Sequence, residues 1–574
     1  MPDITTPVLI VGGGPVGLAA SICLSRLGVP SLLAEQHETT TTHPRATVVN
    51  TRTFELFRQW GVDADVRSGG LPPGRSRYIV WATTLTGFEL GRLDLMAPRA
   101  GEDALSMVRT LGRQSPCVTG ICPQDVYEPV LRRAAEASPI ADVRYHTQLV
   151  SFRDDGAGID AVVRHLSDGR DLSVRADWLL ACDGAASPVR ERLGIAMLGP
   201  DNIGSILNLY VHADLGPYIE GREGALYWIL NADVAGVFIA LDNATRWLFN
   251  TPFQLGPEQT ITQFTPERCA ALVRRAVGDP DLAVDVRSID PWIMRSQVAE
   301  RYRAGRCLLL GDAAHRFPPT GGFGMNTGVQ DAHNVAWKLA GVLQGWASET
   351  LLDTYEIERR PVGQFNADQS FKNTRQMPNP GTAVERAAGP LALIEQDTPE
   401  GAATREMIAA GIENTREHFS AQGQAKGFAY ASPAIVPDGS ADDTQSTVIE
   451  YVPSARPGRL APHAWIQHDG TLRSLLDLFG TRLVLLTGPD AGAWHDAAAA
   501  LADRVPLAVH TVGGDVHLDQ GEPADWCTLY GVDADGAVLV RPDGHVAWRA
   551  RRAPGDVAGA LEQAVAQATG RTLA

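Results

Sequence analysis

Residues 7–17 read P-V-L-I-V-G-G-G-P-V-G, and the rest of the chain is interpreted from that stretch. Val8–Val11 is a short apolar run of the kind that forms a buried parallel strand. Gly12, Gly14 and Gly17 follow as G-x-G-x-x-G. Leu18–Leu27 continues as an apolar helix, stopped by Gly28. Val29–Ala34 is a second strand that ends in Glu35, 18 residues after Gly17. Each part has a mechanical role. Gly12 permits the tight turn, Gly14 lets the backbone approach a pyrophosphate, and Gly17 allows close helix–strand packing. Pro15 and Val16 open the helix whose N-terminus faces that anion. Glu35, with Gln36 beside it, is placed to accept hydrogen bonds from a ribose. A lone glycine motif is weak, but strand, turn, helix and acid in this order define a dinucleotide-binding β-α-β unit.

The second informative stretch lies some 300 residues on, from Arg306 to Ala340. A short strand, Cys307–Leu310, runs into Gly311-Asp312, then into a loop containing Pro318, Pro319, Gly321, Gly322 and Gly324. A helical pattern begins near Met325-Asn326. A carboxylate at a strand end can take ligand hydroxyls. A Gly/Pro loop before a helix can bring bare N–H groups to an anionic ring edge. A nicotinamide dinucleotide would need only the first unit. FAD is longer, and a late ribityl-binding acid, Asp312, suits it. Arg45, in Thr39–Phe57 (T-T-T-T-H-P-R-A-T-V-V-N-T-R-T-F-E-L-F), is expected to reach back over the pyrophosphate or ribityl chain. Asp183, which comes after the expected strand Leu172–Ala181, is placed to fix the adjacent loop. His315 is expected to be structural.

The G-G-G-P-V-G start, H-P-R-A at 43–46, C-D-G-A-A-S-P-V-R at 182–190 and G-D-A-A-H at 311–315 together resemble the FAD-dependent aromatic hydroxylases. This is the para-hydroxybenzoate hydroxylase family of class A flavoprotein monooxygenases, with 2,4-dichlorophenol 6-monooxygenases, polyketide hydroxylases and the rebeccamycin-type oxygenase as the nearest groups. The resemblance implies an α/β fold in which a Rossmann-like FAD domain (1–74, 111–190 and 296–377) is interleaved with an antiparallel-sheet substrate domain (75–110 and 191–295). A connector (378–457) and a thioredoxin-like C-terminal domain without C-x-x-C (458–574) complete it. It further implies that Gln124 contacts FAD from a helix start and that the Asp183-Gly184 motif serves the cofactor. NADPH or NADH would dock transiently and reduce FAD. O₂ would then give a flavin hydroperoxide that hydroxylates a phenolic or polycyclic natural-product substrate. A Baeyer–Villiger outcome, or a non-oxygenating carrier of a reactive intermediate, remains open on the same scaffold, as does a homodimer.

Between these landmarks, Val143–Phe152, Ile159–Leu166 and Leu172–Ala181 read as strands, the last two joined at a D-G hairpin signal. The blocks 75–110 and 195–295 alternate apolar and polar residues and read as one sheet roofing the flavin. Arg109, Tyr227 and Trp228 are its candidate substrate contacts. Leu351–Met377 reads as a helix broken by Pro378-Asn379-Pro380-Gly381. The last third gives strands Arg482–Leu486 and Leu507–Val512, helix Ala491–Asp503, a hairpin Ala537–Trp548 around Asp543-Gly544, and a closing helix Val557–Thr569. The chain has 574 residues and a formal charge of −17, which argues against nucleic-acid or anionic-membrane binding. Its 7 cysteines are scattered and fit buried thiols, without metal-ligand spacing. No membrane span or leader is visible, so a cytoplasmic enzyme is expected.

Overall fold

The computed structural model describes residues 1–98, 103–253, 261–376, 390–441, 446–519 and 525–571. The breaker at Pro378–Gly381 falls outside them.

The fold is mixed α/β with several sheets. The first is eight-stranded, its path running Arg303–Ala304, Cys307–Leu309, Asp171–Ala181, Ile4–Val11, Ser31–Ala34 and Ala141–Arg144. Its central pairs are parallel, with Val11 in register with Ala34 and Ala181, and Ala181 with Leu309. Four strands therefore stop at one edge, where Gly12, Glu35, Asp183 and Gly311-Asp312 cluster just beyond their ends. The carboxyl edge of an open parallel sheet is where ligands bind. Pairing of Leu179–Ala181 with Cys307–Leu309 joins stretches more than a hundred residues apart. The expected strand Val143–Phe152 is instead two, Ala141–Arg144 and Thr147–Asp154. His146 between them has φ 54°, a left-handed kink that a continuous strand cannot contain.

The second sheet has seven strands in the order Asp285–Met294, Gly204–His212, Arg246–Pro252, Ala235–Ala240, Gly224–Leu230, Tyr78–Ala82 and Glu89–Asp94. It is antiparallel except where Gly224–Leu230 runs parallel to Tyr78–Ala82. That junction joins two separate excursions of the chain, so no hairpin dictates its direction. The helix Pro266–Val277, capped by Thr265 and ended by Gly278 at φ 85°, packs Cys269, Val273, Ala276 and Val277 on the back face. Leu207, Leu209, Val211, Tyr227, Phe238, Trp247 and Phe249 meet it there.

Residues 104–114 depart from the sheet reading. They form the helix Ala104–Gln114, capped by Asp103, whose side chain accepts from Ser106 N at 2.8 Å. Met107, Val108 and Leu111 sit at helical spacing, and the cap decides the matter locally. The long helix after the Gly/Pro loop is Gly324–Leu343, followed by Asp353–Gln376.

Toward the C-terminus, Leu507–Thr511, Leu483–Thr487, Ala537–Val540 and Val546–Ala550 make a four-stranded sheet. The helices Gly492–Ala499, shorter than expected, and Val557–Ala568 cover one side. Thr471–Ser474, Trp465–His468 and Val516–Leu518 make a small separate sheet. All 7 cysteines are free thiols, and Cys527 is the one that is not fully buried. Among the described residues no helix is long and apolar enough to cross a membrane.

Candidate cofactor and substrate site

The glycines of the first turn are sterically required. A Cβ on Gly12 (φ 106°) would lie 2.3 Å from the Cys182 carbonyl oxygen, and one on Gly17 would lie 1.9 Å from that of Gly12. A Cβ on Gly14 would meet no protein atom within 4 Å, so this glycine faces the open side of the turn. Helix Pro15–Arg26 starts there without a side-chain cap, leaving its first N–H groups for a ligand. Glu35 is buried and already oriented: its carboxylate accepts from Gly13 N at 2.6 Å and from His37 N at 2.8 Å. Gln36 beside it is exposed.

Val16 joins the two halves of the site. A Cβ on Gly311 would fall 2.9 Å from the Val16 side chain, and one on Gly328 2.5 Å from it. The first helix and the late helix thus cross at glycine-sized separation. Asp331 of the late helix holds Gly311 in place, accepting from its N–H at 3.2 Å, from His315 Nε2 at 2.8 Å and from Arg359 Nε at 2.8 Å. Burial opposes ionisation of Asp331, but Arg359 and His315 hold its carboxyl below the ordinary range. His315 is therefore spent on structure, as its sequence position suggested.

Asp312 itself engages no hydrogen-bond donor among the described residues. It is exposed at the end of its strand, where its carboxylate is open to the cleft. Desolvation pushes its carboxyl above the ordinary value, against the pull of His315, Arg316 and Arg45. A carboxylate so placed is stabilised by ligand hydroxyls. Arg45 is exposed and has no ion-pair partner among the described residues, but its charge is felt at Asp312, His43 and Glu128. Gln124 begins the helix Gln124–Glu136 and donates to Glu128 at 2.5 Å. Glu128 also accepts from Thr41 N at 2.9 Å. This buried acid ties the Arg45 segment to the Gln124 helix, and the sequence reading missed it.

Both oxygens of Asp183 serve its own loop, accepting from Ser187 Oγ at 2.6 Å and Val189 N at 3.0 Å. Arg190 then bonds the carbonyls of Ala313 (3.1 Å) and Ala185 (3.2 Å), stitching this loop to the Gly-Asp element. The Asn326 side chain is likewise used within the protein. It accepts from Asn50 N at 2.9 Å and donates to the carbonyls of Val48 (2.9 Å) and Gly322 (2.6 Å). The loop Pro319–Gly324 is thereby clamped onto Val48–Asn50. The helix start at Gly324-Met325 carries no side-chain cap and keeps its N–H groups for the cleft.

The front face of the seven-stranded sheet looks toward these elements. His43 Nε2 lies 3.1 Å from Asp290, though not aligned as a hydrogen bond, and the His43 ring meets Tyr210 edge-on at 6.2 Å. Burial, aided by Arg45, holds His43 below its ordinary pKa against Asp290 and Asp125, so it is neutral at pH 7. Arg246 pairs with Asp125 at 2.5 Å. Trp228 is on this face. Tyr227 points the opposite way, its hydroxyl accepting from Gly224 N at 2.7 Å and donating to the Arg222 carbonyl at 3.2 Å, and it does not join the cleft residues. Arg109 is exposed on a helix rather than on a strand.

Glycine clearances, two uncapped helix starts, an oriented Glu35 and an unbonded Asp312 at one sheet edge fit a dinucleotide flavin. They define the class, a flavin-dinucleotide-binding oxidoreductase. Comparison with known families agrees. Residues 5–370 match the FAD binding domain family and residues 454–572 the aromatic-ring hydroxylase C-terminal family. The chain belongs to the FAD-dependent aromatic-ring hydroxylases, as its motifs implied. It is 37% identical to the tetracenomycin A2 monooxygenase-dioxygenase of Streptomyces glaucescens, covering 99% of this chain and 97% of that one. It is 35% identical to a 4-methyl-5-nitrocatechol 5-monooxygenase of a Burkholderia species, covering 98% and 97%. The crystal structure of the flavin-dependent monooxygenase PieE in complex with FAD and substrate superposes with a TM-score of 0.89 at 34% identity, over 100% of both chains. The chain is a flavoprotein monooxygenase that uses FAD, with NAD(P)H as the co-substrate typical of this family.

Proposed function

We propose that this monooxygenase hydroxylates an oxygenated aromatic compound of the natural-product or phenolic class, with NADPH or NADH as reductant and O₂ as co-substrate. The observation that carries the reading is the convergence of Gly12–Gly17, Glu35, Asp183 and Gly311-Asp312 at one sheet edge, opposite the polar front face of a second sheet. Bound FAD supplies the redox and oxygen chemistry. The chain's own residues do the rest. Gly14 and the first helix start receive the pyrophosphate, with Pro15 and Val16 shaping that turn. Glu35 and Gln36 meet the adenosine ribose. Asp312 and Gln124 hold the ribityl region, and Arg45 offsets phosphate charge. The N–H groups from Gly322 to Asn326, reached past Pro319, stabilise negative charge at the edge of the ring.

The division into a discontinuous FAD domain, a substrate sheet domain (75–110 and 191–295), a connector and a C-terminal domain is part of this reading. The pairing of Tyr78–Ala82 with Gly224–Leu230 supports it. A thioredoxin-like C-terminal domain is supported by its four-stranded sheet with helices, and no C-x-x-C accompanies it. The enzyme is tested by following NADPH and NADH oxidation with and without candidate aromatics. Stimulated oxidation and a product heavier by one oxygen atom are expected. A bound flavin that no aromatic makes reducible would refute the proposal.

A further inference from the structure

Five buried polar atoms on the substrate sheet have no hydrogen-bond partner among the described residues: Asn208 Oδ1, Asn250 Oδ1, Ser288 Oγ, Trp228 Nε1 and Trp81 Nε1. Unpaired buried groups are costly, and these five share one sheet. Strand register puts them together. Asn208 stands directly opposite both Asn250 and Asp290. Asn250 is opposite Val237, Val237 opposite Trp228, and Trp228 opposite Trp81. Residues directly opposite share a face, so Asp290, Asn208, Asn250, Val237, Trp228 and Trp81 form one row across six strands. Ser288, two residues before Asp290, lies on the same face beside Tyr210. This is the front face, the one met by His43, because Tyr227, Phe249 and Leu209 of the opposite parity pack on the covering helix.

The spacing carries chemical information. Asn208 and Asn250 are on neighbouring strands, their Cβ atoms about 5 Å apart, so two amides stand side by side. Each offers a donor and an acceptor, which suits a hydroxyl next to a carbonyl. Trp228 lies two strands beyond Asn250, about 10 Å away, and its indole supplies a donor only. A single benzene ring with its substituents cannot reach both ends. A planar system of roughly three or four fused rings can, at that spacing. Val237 between them offers an apolar surface for a ring face. Trp81 packs edge-on against Phe419 at 6.2 Å, which closes the far end of the row.

We infer that the paired amides of Asn208 and Asn250, with the indole N–H of Trp228 at the other end of the row, recognise a fused polycyclic aromatic bearing oxygen substituents at both ends. The inference rests on the hydroxylase reading above and specifies the substrate class of that same site.

The test uses the full-length, FAD-loaded enzyme and two probes, 1,8-dihydroxyanthrone and catechol. Binding is read from perturbation of the flavin absorption spectrum, turnover from NAD(P)H oxidation and product mass. The expected result is that the anthrone binds at least about a hundredfold more tightly than catechol. N208L/N250L, which keeps side-chain volume, should raise its Kd by about tenfold per amide lost. W228F should raise the Kd of the anthrone but not that of catechol. FAD content should stay stoichiometric in every variant. N208A/N250A replaces the double variant if the leucines misfold, with the same expected direction. Equal Kd values for the two probes, or an unchanged anthrone Kd in the double variant, overturn the inference. Tight, amide-dependent anthrone binding without oxygenation of any aromatic would instead overturn the hydroxylase reading and leave the recognition strip standing.

Discussion

At the scale of single residues, Gly14 and Gly17 look alike in the motif but behave oppositely in the fold. A side chain on Gly17 would collide with the Gly12 carbonyl at 1.9 Å, whereas one on Gly14 meets nothing within 4 Å. Gly17→Ala should therefore destabilise the protein by roughly 3 kcal/mol, visible as a lowered Tm. Gly14→Val should leave the apoprotein's Tm nearly unchanged and abolish flavin binding, read as flavin absorbance per protein after purification. Asp312→Ala should also lose FAD. A carboxylate that no donor among the described residues satisfies is not needed for folding, so the variant's circular dichroism should match the parent. Stoichiometric FAD in that variant would refute the assignment of the ribityl end. These residues were legible in the sequence because a tight turn and a strand-end acid are local requirements. Glu128 was not, since its partner Thr41 lies 87 residues away.

At the scale of elements, the helix Gly324–Leu343 matters most, because it starts at the Gly/Pro loop beside Asp312 and ends among buried charges. Lys338 Nζ lies 2.7 Å from Glu358, which Arg541 also holds at 2.6 and 2.8 Å. Burial lowers the Lys338 pKa from 10.5 to about 8, with Arg541 adding to the effect and Glu358 and Asp543 opposing it. In the unfolded chain this amine holds its proton up to its ordinary value. Between pH 8 and 10.5 the unfolded state thus binds the extra proton, and this group's contribution makes stability rise with pH in that window. Thermal melts of the parent and Lys338→Met across that range should differ in slope, the variant lacking the rise. Two elements were misread from sequence, for physical reasons. The kink at His146 depends on the contact of its N–H with the His37 carbonyl at 2.8 Å, which no strand pattern encodes. The helix Ala104–Gln114 buries none of its residues, so its helical signal rests on the Asp103 cap and on Met107, Val108 and Leu111 inside a block otherwise made of strands.

At the scale of the whole molecule, the C-terminal region is bound into the flavoprotein rather than appended to it. The turn at Asp543-Gly544 enters the interface, where Asp543 accepts from Asn334 Nδ2 at 3.1 Å and Trp337 Nε1 at 3.2 Å, and its carbonyl accepts from Arg52 at 2.9 Å. Asp543 and Glu358 are both buried against Arg541, and removing one partner leaves a charge uncompensated. Arg541→Met should cost about 3–5 kcal/mol, measured by denaturant unfolding. Deleting residues 454–574 should yield an insoluble or FAD-free chain, because Trp337 and Leu351 share one apolar core with Leu483, Trp494 and Leu561. A soluble, flavin-loaded truncation would disprove this dependence. The R-P-D-G-H turn was visible in sequence as a hairpin, but its role as a buried ionic plug was not. Ionic partners such as Glu358 and Arg541 are 183 residues apart.

The use of a flavin dinucleotide was written in the chain itself, in strands that end in glycine or acid. Those constraints are local, set by backbone clearance and by the few residues after each strand. Which face of the seven-stranded sheet stays open was settled by tertiary packing alone. In a sheet, side-chain direction alternates at every residue, so the same strand sends Tyr227 into the core and Trp228 toward the cleft. Which parity faces the cleft depends on which side the helix Pro266–Val277 covers. Register put Asn208, Asn250 and Trp228 into one row, and the pairing of Gly204–His212 with Arg246–Pro252 passes over the two strands between them in sequence, which no local pattern specifies.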